Sequence, residues 1–175
     1  MTPRARACRA FGLDPTSTTF LGRGLFGEAW ATPRRTVLKV TADPQEIEFI
    51  RLSLEMPCPG VPKVYQGPLE LEGGQYAYER EKLEDLPWLS PSLRGLNVIA
   101  RSLFPMPPQE RLRRYDEILF SEQARAQFPY VIEAMRRFRA RGVPLWDCKA
   151  GNLGMRGTDV VIRDARTIDA RALQT

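Results

Sequence analysis

Four polar residues in the last third of the sequence are spaced for chemistry: Asp147, Lys149 and Asn152, in the order D-x-K-x-x-N, and then Asp164. Between the third and the fourth lie a turn, Arg156-Gly157-Thr158-Asp159, and a β-branched run, Val160-Val161-Ile162. The set therefore falls on a loop and a hairpin. One carboxylate can orient a hydroxyl, the other can hold magnesium, and an ammonium can neutralise phosphate. That is the inventory of a metal–nucleotide site. The motif alone is weak, because a surface hairpin carries the same residue types. The other half of such a site has to come from elsewhere in the chain.

Gly22, Gly24 and Gly27 supply a candidate. They punctuate a turn within the apolar-flanked stretch Thr19–Trp30, and glycine lets backbone amides approach phosphate oxygens without Cβ obstruction. Dinucleotide folds use the same G-x-G-x-x-G spacing between a strand and a helix. Here Glu28–Thr32 leads into a Pro33-Arg34-Arg35 turn and then Thr36–Val40, which reads as strand, turn, strand. Lys39 is an ammonium within that otherwise apolar strand. Either it points to solvent by alternation or it faces a cleft and pairs with phosphate, and a nearby carboxylate would separate the two. Asp43-Pro44 is a helix start, and Gln45–Glu55 is amphipathic up to the Pro57-Cys58-Pro59-Gly60 stop. Glu48 is the first candidate for the Lys39 partner and Glu46 the second.

The elements that must position these residues follow from pattern. A lead-in helix is expected around Ala5–Phe11. Strands are expected over Val61–Gly67 and Gln75–Glu81 with a Glu72-Gly73-Gly74 turn, and then a polar connection to Pro87. Prolines break up residues 87–120, with helices expected at Leu93–Phe104 and Gln109–Phe120. A further helical stretch begins at Ser121 and is either kinked or restarted by Pro129. Val131, Ile132, Met135 and Phe138 form its apolar stripe, and Gly142 ends it.

With 175 residues and 43% hydrophobic content the chain can build one domain or two small lobes sharing a cleft. Net charge is +5, which favours anionic partners. Arg136, Arg137, Arg139 and Arg141 read as a solvated helix face rather than a nucleic-acid footprint. There is no histidine, so histidine triads, histidine-ligated zinc and histidine bases are excluded. Three widely spaced cysteines, Cys8, Cys58 and Cys148, indicate neither a disulfide framework nor a metal cluster. A reducing, cytoplasmic setting fits. No apolar run approaches the roughly 20 residues of a membrane span, so no membrane partner is expected.

In order and spacing these parts resemble the protein-kinase-like fold. Leu21–Gly27 resembles its glycine loop, Val37-Leu38-Lys39 its phosphate-binding strand, and Glu48 with Leu52 its partner helix. Tyr78-Glu79-Arg80-Glu81 resembles the hinge whose backbone binds adenine. Leu145–Asn152 resembles the catalytic loop and Asp164-Ala165-Arg166 the metal-binding D-F-G. The resemblance implies an α+β, two-lobed fold: an antiparallel-sheet N-lobe over 1–86 and a reduced, mostly helical C-lobe over 87–175. It implies ATP-dependent phosphoryl transfer to a hydroxyl, with serine or threonine of a protein as first acceptor class. A pseudokinase that grips nucleotide and a partner protein is the alternative. Gly22, Gly24 and Gly27 would cover the phosphates, Lys39 held by Glu48 would bind them, and Glu79 and Glu81 would mark the adenine-binding hinge. Asn152 and Asp164 would hold Mg2+, with Asp147 and Lys149 catalytic. Departures from the pattern are Leu145-Trp146 for His-Arg, Ala165-Arg166 for Phe-Gly, and Gly154 where a leucine floors the adenine site. Only nine residues follow Arg166, so a substrate platform is expected from residues 87–128, the arginine-bearing helix or a partner protein.

Overall fold

The structure, a computed structural model, describes residues 1–86, 107–146, 148 and 150–167. The chain divides into two compact units: Met1–Glu55 with Pro62–Lys82, and Met56–Val61 with Leu83–Thr175. The sequence places the boundary after Leu86. The structure places it after Lys82 and gives the six residues following the acidic helix to the second unit.

The first unit is α+β. Strands β1 (Thr19–Arg23), β2 (Gly27–Ala31), β3 (Thr36–Thr41), β4 (Val64–Leu71) and β5 (Gln75–Glu81) form one antiparallel sheet in the order β1-β2-β3-β5-β4. Helix α1 (Pro3–Ala10) starts where Thr2 Oγ1 accepts the Ala5 amide at 3.2 Å, with Pro3 in its first turn. Helix α2 (Pro44–Glu55) starts where Asp43 Oδ1 accepts the Gln45 amide at 3.0 Å. Side chains alternate across a strand, and the two faces of the sheet are used differently. Trp30, Leu38, Val40 and Ala77 join Ala7, Cys8 and Phe11 in one apolar cluster with α1. Lys39, Thr41 and Tyr78 turn the other way, to Glu46 of α2. Five antiparallel strands with a helix between the third and the fourth match a protein-kinase-like N-lobe.

The second unit carries more helix than strand among its described residues. It contains α3 (Pro108–Phe120), α4 (Glu122–Gln127) and α5 (Pro129–Ala140). Proline has no amide for a helical bond, and of the kink or restart expected at Pro129 the restart is observed, while Gly142 at φ 78° closes α5. Val131, Ile132, Met135 and Phe138 are all buried. Three of the arginines off that stripe bind within the chain. Arg136 Nε donates to Leu119 O at 2.8 Å, Arg137 Nε to Glu133 at 2.7 Å, and Arg139 takes both oxygens of Asp116 at 2.9 Å. Two of these contacts tie α5 to α3, so Arg136 and Arg139 join helices where the sequence predicts a solvated face. Two short antiparallel pairs complete the unit. Strand β6 (Leu145–Trp146) pairs with β9 (Arg166–Thr167), and β7 (Leu153–Arg156) pairs with β8 (Asp159–Ile162). The helix expected at Leu93–Phe104 lies outside the described residues. No described helix is long and apolar enough to cross a membrane.

Candidate active site

In the first unit the glycine loop joins β1 to β2, and the Gly24 amide donates to Gly27 O at 2.8 Å. Its three glycines differ in what they accommodate. A Cβ on Gly22 would meet nothing within 4 Å, and one on Gly24 would meet only Gly27 O, at 4.0 Å. A Cβ on Gly27 would lie 2.3 Å from Val40 O. Gly27 is therefore demanded by the approach of β2 to β3. The first two leave open a surface that packing within the chain does not require.

Lys39 does not point to solvent. Its ammonium sits 2.9 Å from Glu46 Oε1, and both side chains are largely buried. The sequence's first choice of partner, Glu48, is thus corrected to its second, Glu46. The reason is helical phase. Residues two apart on an α-helix project about 200° apart, so once Glu46 faces the sheet Glu48 cannot. Tyr78, which the sequence places only in the hinge stretch, and Thr41, which it does not single out, join the network. Tyr78 Oη donates to Glu46 Oε1 at 2.5 Å, and Thr41 Oγ1 to Oε2 at 3.3 Å. A signal for them existed: Tyr78 is the cross-strand partner of Lys39, and Thr41 lies two residues along the same strand.

Glu79 and Glu81 lie within β5, as the expected strand Gln75–Glu81 has them. Strand β5 lies between β3 and β4, so at Glu79 both edges of the backbone face neighbouring strands. Its side chain is 1% exposed and accepts from Thr36 Oγ1, from Gln66 Nε2 at 2.9 Å and from Arg34 Nη1 at 3.5 Å. This corrects Glu79 from a hinge marker to a carboxylate of the sheet core. At the strand end, the Glu81 amide donates to Lys63 O at 2.8 Å and its carboxylate accepts the Lys63 amide at 3.1 Å. The connection proper starts at Lys82.

In the second unit, Asp147 and Lys149 lie outside the described residues. What flanks them is packed. Leu145 and Cys148 are buried, and so is Tyr115 of α3. Burial pushes the Tyr115 phenol well above its ordinary value of 10, with the nearby Cys148 thiol adding to the effect. Asn152 ends a 3-10 turn, Ala150–Asn152, that runs directly into β7. Its backbone carbonyl accepts from the Arg163 amide at 2.7 Å and the Asp164 amide at 3.1 Å. Asn152 and Asp164 are thereby brought together across the base of the hairpin. An amide oxygen and a carboxylate are hard donors suited to Mg2+, which keeps few protein ligands and takes the rest from phosphate and water. Among the described residues no group of three or more His, Cys, Asp or Glu is arranged to hold a metal ion. The departure at Gly154 has a local cause. A Cβ there would lie 2.7 Å from that of Leu83 and 3.1 Å from Glu84 O, where residue 84 bridges Met155 through bonds of 3.0 and 2.9 Å.

No family model and no curated protein matches the chain. Two solved structures to which it is similar are of aminoglycoside phosphotransferases. One is APH(2'')-Ib with ADP bound, at 12% identity and a TM-score of 0.46, covering 95% of this chain and 71% of that one. The other is the ternary complex of streptomycin, ATP and APH(2'')-IIa, at 13% identity and a TM-score of 0.45, with the same coverage. Identities this low bear on fold alone. At TM-scores below 0.5 even the fold rests on the elements described above.

Proposed function

We propose that this chain is an ATP-dependent phosphotransferase that moves the γ-phosphoryl group to a hydroxyl, with serine or threonine of a protein as the first acceptor class. The observation that carries this reading is the buried Lys39–Glu46 pair at 2.9 Å on the strand beside the glycine-loop hairpin. The pair as a whole adds little to stability, since burying an ion pair roughly breaks even against apolar packing. A fixed ammonium is useful where phosphate must be held. On this reading Lys39 neutralises the phosphates and the amides around Gly22 and Gly24 lie against them. Asn152 and Asp164 hold Mg2+, which when bound supplies charge neutralisation at the transferred group. Asp147 orients the acceptor hydroxyl and takes its proton as the new P–O bond forms and the bond to the β-phosphate oxygen breaks. Lys149 stabilises the transferring group. Positioning and charge carry such a reaction without histidine.

The test is transfer of label from γ-labelled magnesium-ATP by the purified protein. Acceptors are a lysate's proteins in one arm and an aminoglycoside panel in the other. Asp164→Ala and Lys39→Ala are expected to lower transfer by about a hundredfold or more. Equal labelling by parent and variants would end the proposal. Magnesium-ATP binding with no transfer to either acceptor class would make the chain a nucleotide-binding module instead. Label on the aminoglycoside alone would move the acceptor from protein to small molecule.

A further inference from the structure

The sheet of the first unit carries a second candidate site on the face turned away from Lys39. A cavity of about 480 Å³ opens there, between the first turn of α1 and the back of the glycine loop. Its floor is Trp30 and Val40, which belong to the α1 side of the sheet. Lys39 is the neighbour of Val40 in β3, and alternation sends it to the opposite face. The cavity and the phosphate-binding lysine therefore lie on opposite faces of one sheet and share the glycine loop.

The chemistry of the lining is specific. Leu25 and Phe26 of the loop, 90% and 43% exposed, bring apolar surface that folding leaves uncovered. Arg4 stands over the Trp30 ring with its guanidinium carbon 5.8 Å from the centroid. Two charged neighbours, Arg23 and Glu28, neutralise one another. Arg4 makes no ion pair among the described residues, so the cavity keeps one net positive charge, on a planar fork beside an indole. A guanidinium in that setting pairs bidentately with a carboxylate, while the exposed side chains of Leu25 and Phe26, rather than the buried Trp30 and Val40, accept a flat apolar body. The volume is in the range of small-molecule sites.

We propose that this cavity binds a small aromatic carboxylate, with Arg4 on the carboxylate and the exposed Leu25 and Phe26 against the ring. The site shares Gly24 and Gly27 of the glycine loop with the nucleotide reading but uses none of Lys39, Asn152 or Asp164.

Fluorine NMR line broadening of 6-fluoro-2-naphthoate, titrated with the full chain, is the test, with the neutral 6-fluoro-2-naphthamide as its partner probe. The acid is expected to bind about tenfold more tightly than the amide. Arg4→Gln should remove that difference, and Arg4→Lys should restore part of it. Excess magnesium-ATP should leave the acid bound. Equal binding of acid and amide to the parent chain would overturn the proposal, and so would full binding to a folded Arg4→Gln protein. Displacement by magnesium-ATP would also overturn it, by placing the probe on the other face. If Arg4→Gln fails to fold, the acid–amide comparison on the parent chain decides alone.

Discussion

Glu46 and Glu79 are both buried carboxylates of the first unit, one on each face of the same sheet, and their surroundings differ in kind. Glu79 takes a threonine, a glutamine and an arginine. That arginine, Arg34, also binds the carbonyls of Phe11 at 3.1 Å and Gly12 at 2.9 Å, so it fastens the end of the α1 segment to the sheet. The guanidinium's donors are spent on the chain itself. Glu46 instead holds a lysine, a compact charge with three donors that suits a phosphate. One cluster closes the fold; the other orients a cation. Burial and charge are alike in the two, so neither property distinguishes structure from site. The identity of the cation and what else it binds do.

The comparison can be broken by substitution. The largest effect is expected at Glu46→Ala, which strands a buried ammonium. It should cost about 3–5 kcal/mol in urea denaturation and abolish the rise in melting temperature caused by magnesium-ATP. Glu79→Ala should cost less, about 2 kcal/mol, because the Arg34 side chain is 47% exposed and can turn to water. It should leave the magnesium-ATP shift intact, and loss of that shift would erase the distinction drawn here. Tyr78→Phe removes one hydrogen bond to a charged group and should cost about 1.5 kcal/mol by the same denaturation measurement. It sharpens the comparison by showing whether nucleotide affinity tracks the orientation of Glu46 or only its charge. Glu48→Ala should fall within about 0.5 kcal/mol of the parent in stability. A larger loss, or a lost nucleotide shift, would return Glu48 to the role the sequence assigned it.

Local chemistry was legible in the sequence. The Asp43-Pro44 helix start, the Pro129 restart, the Gly142 stop and the Arg156–Asp159 turn are all dictated by one or two residues with special backbone demands, and all are where the sequence puts them. Strand β5 also keeps its expected bounds. What was not legible depends on phase and on neighbours far along the chain. Whether Glu46 or Glu48 meets Lys39 is decided by which side of α2 faces the sheet, and a short helix with acidic residues at both positions does not announce it. Glu79 is expected at the hinge because Tyr78–Glu81 resembles the hinge of the kinase-like fold. It is a core residue because β4 and β3 flank it, and strand order is not written locally. β4 starts at Val64 rather than Val61 for a similar reason: the Val61 carbonyl accepts from Arg156 at 2.9 Å, 95 positions away.

That last contact has a consequence for how the chain can be divided. Met56–Val61 belongs to the second unit although the first resumes at Pro62. Arg156 donates to Pro59 O at 2.6 Å as well as to Val61 O, and the Ile162 amide donates to Gly60 O at 3.0 Å. A piece starting at Leu83 lacks all three acceptors, so the hairpin that brings Asn152 and Asp164 together loses its outer support. A piece ending at Lys82 carries six residues whose packing partners are gone. No single cut yields two self-sufficient parts. Exchange of either unit with a foreign one, by recombination or in the laboratory, would have to transplant this short insert together with the segment that follows Lys82.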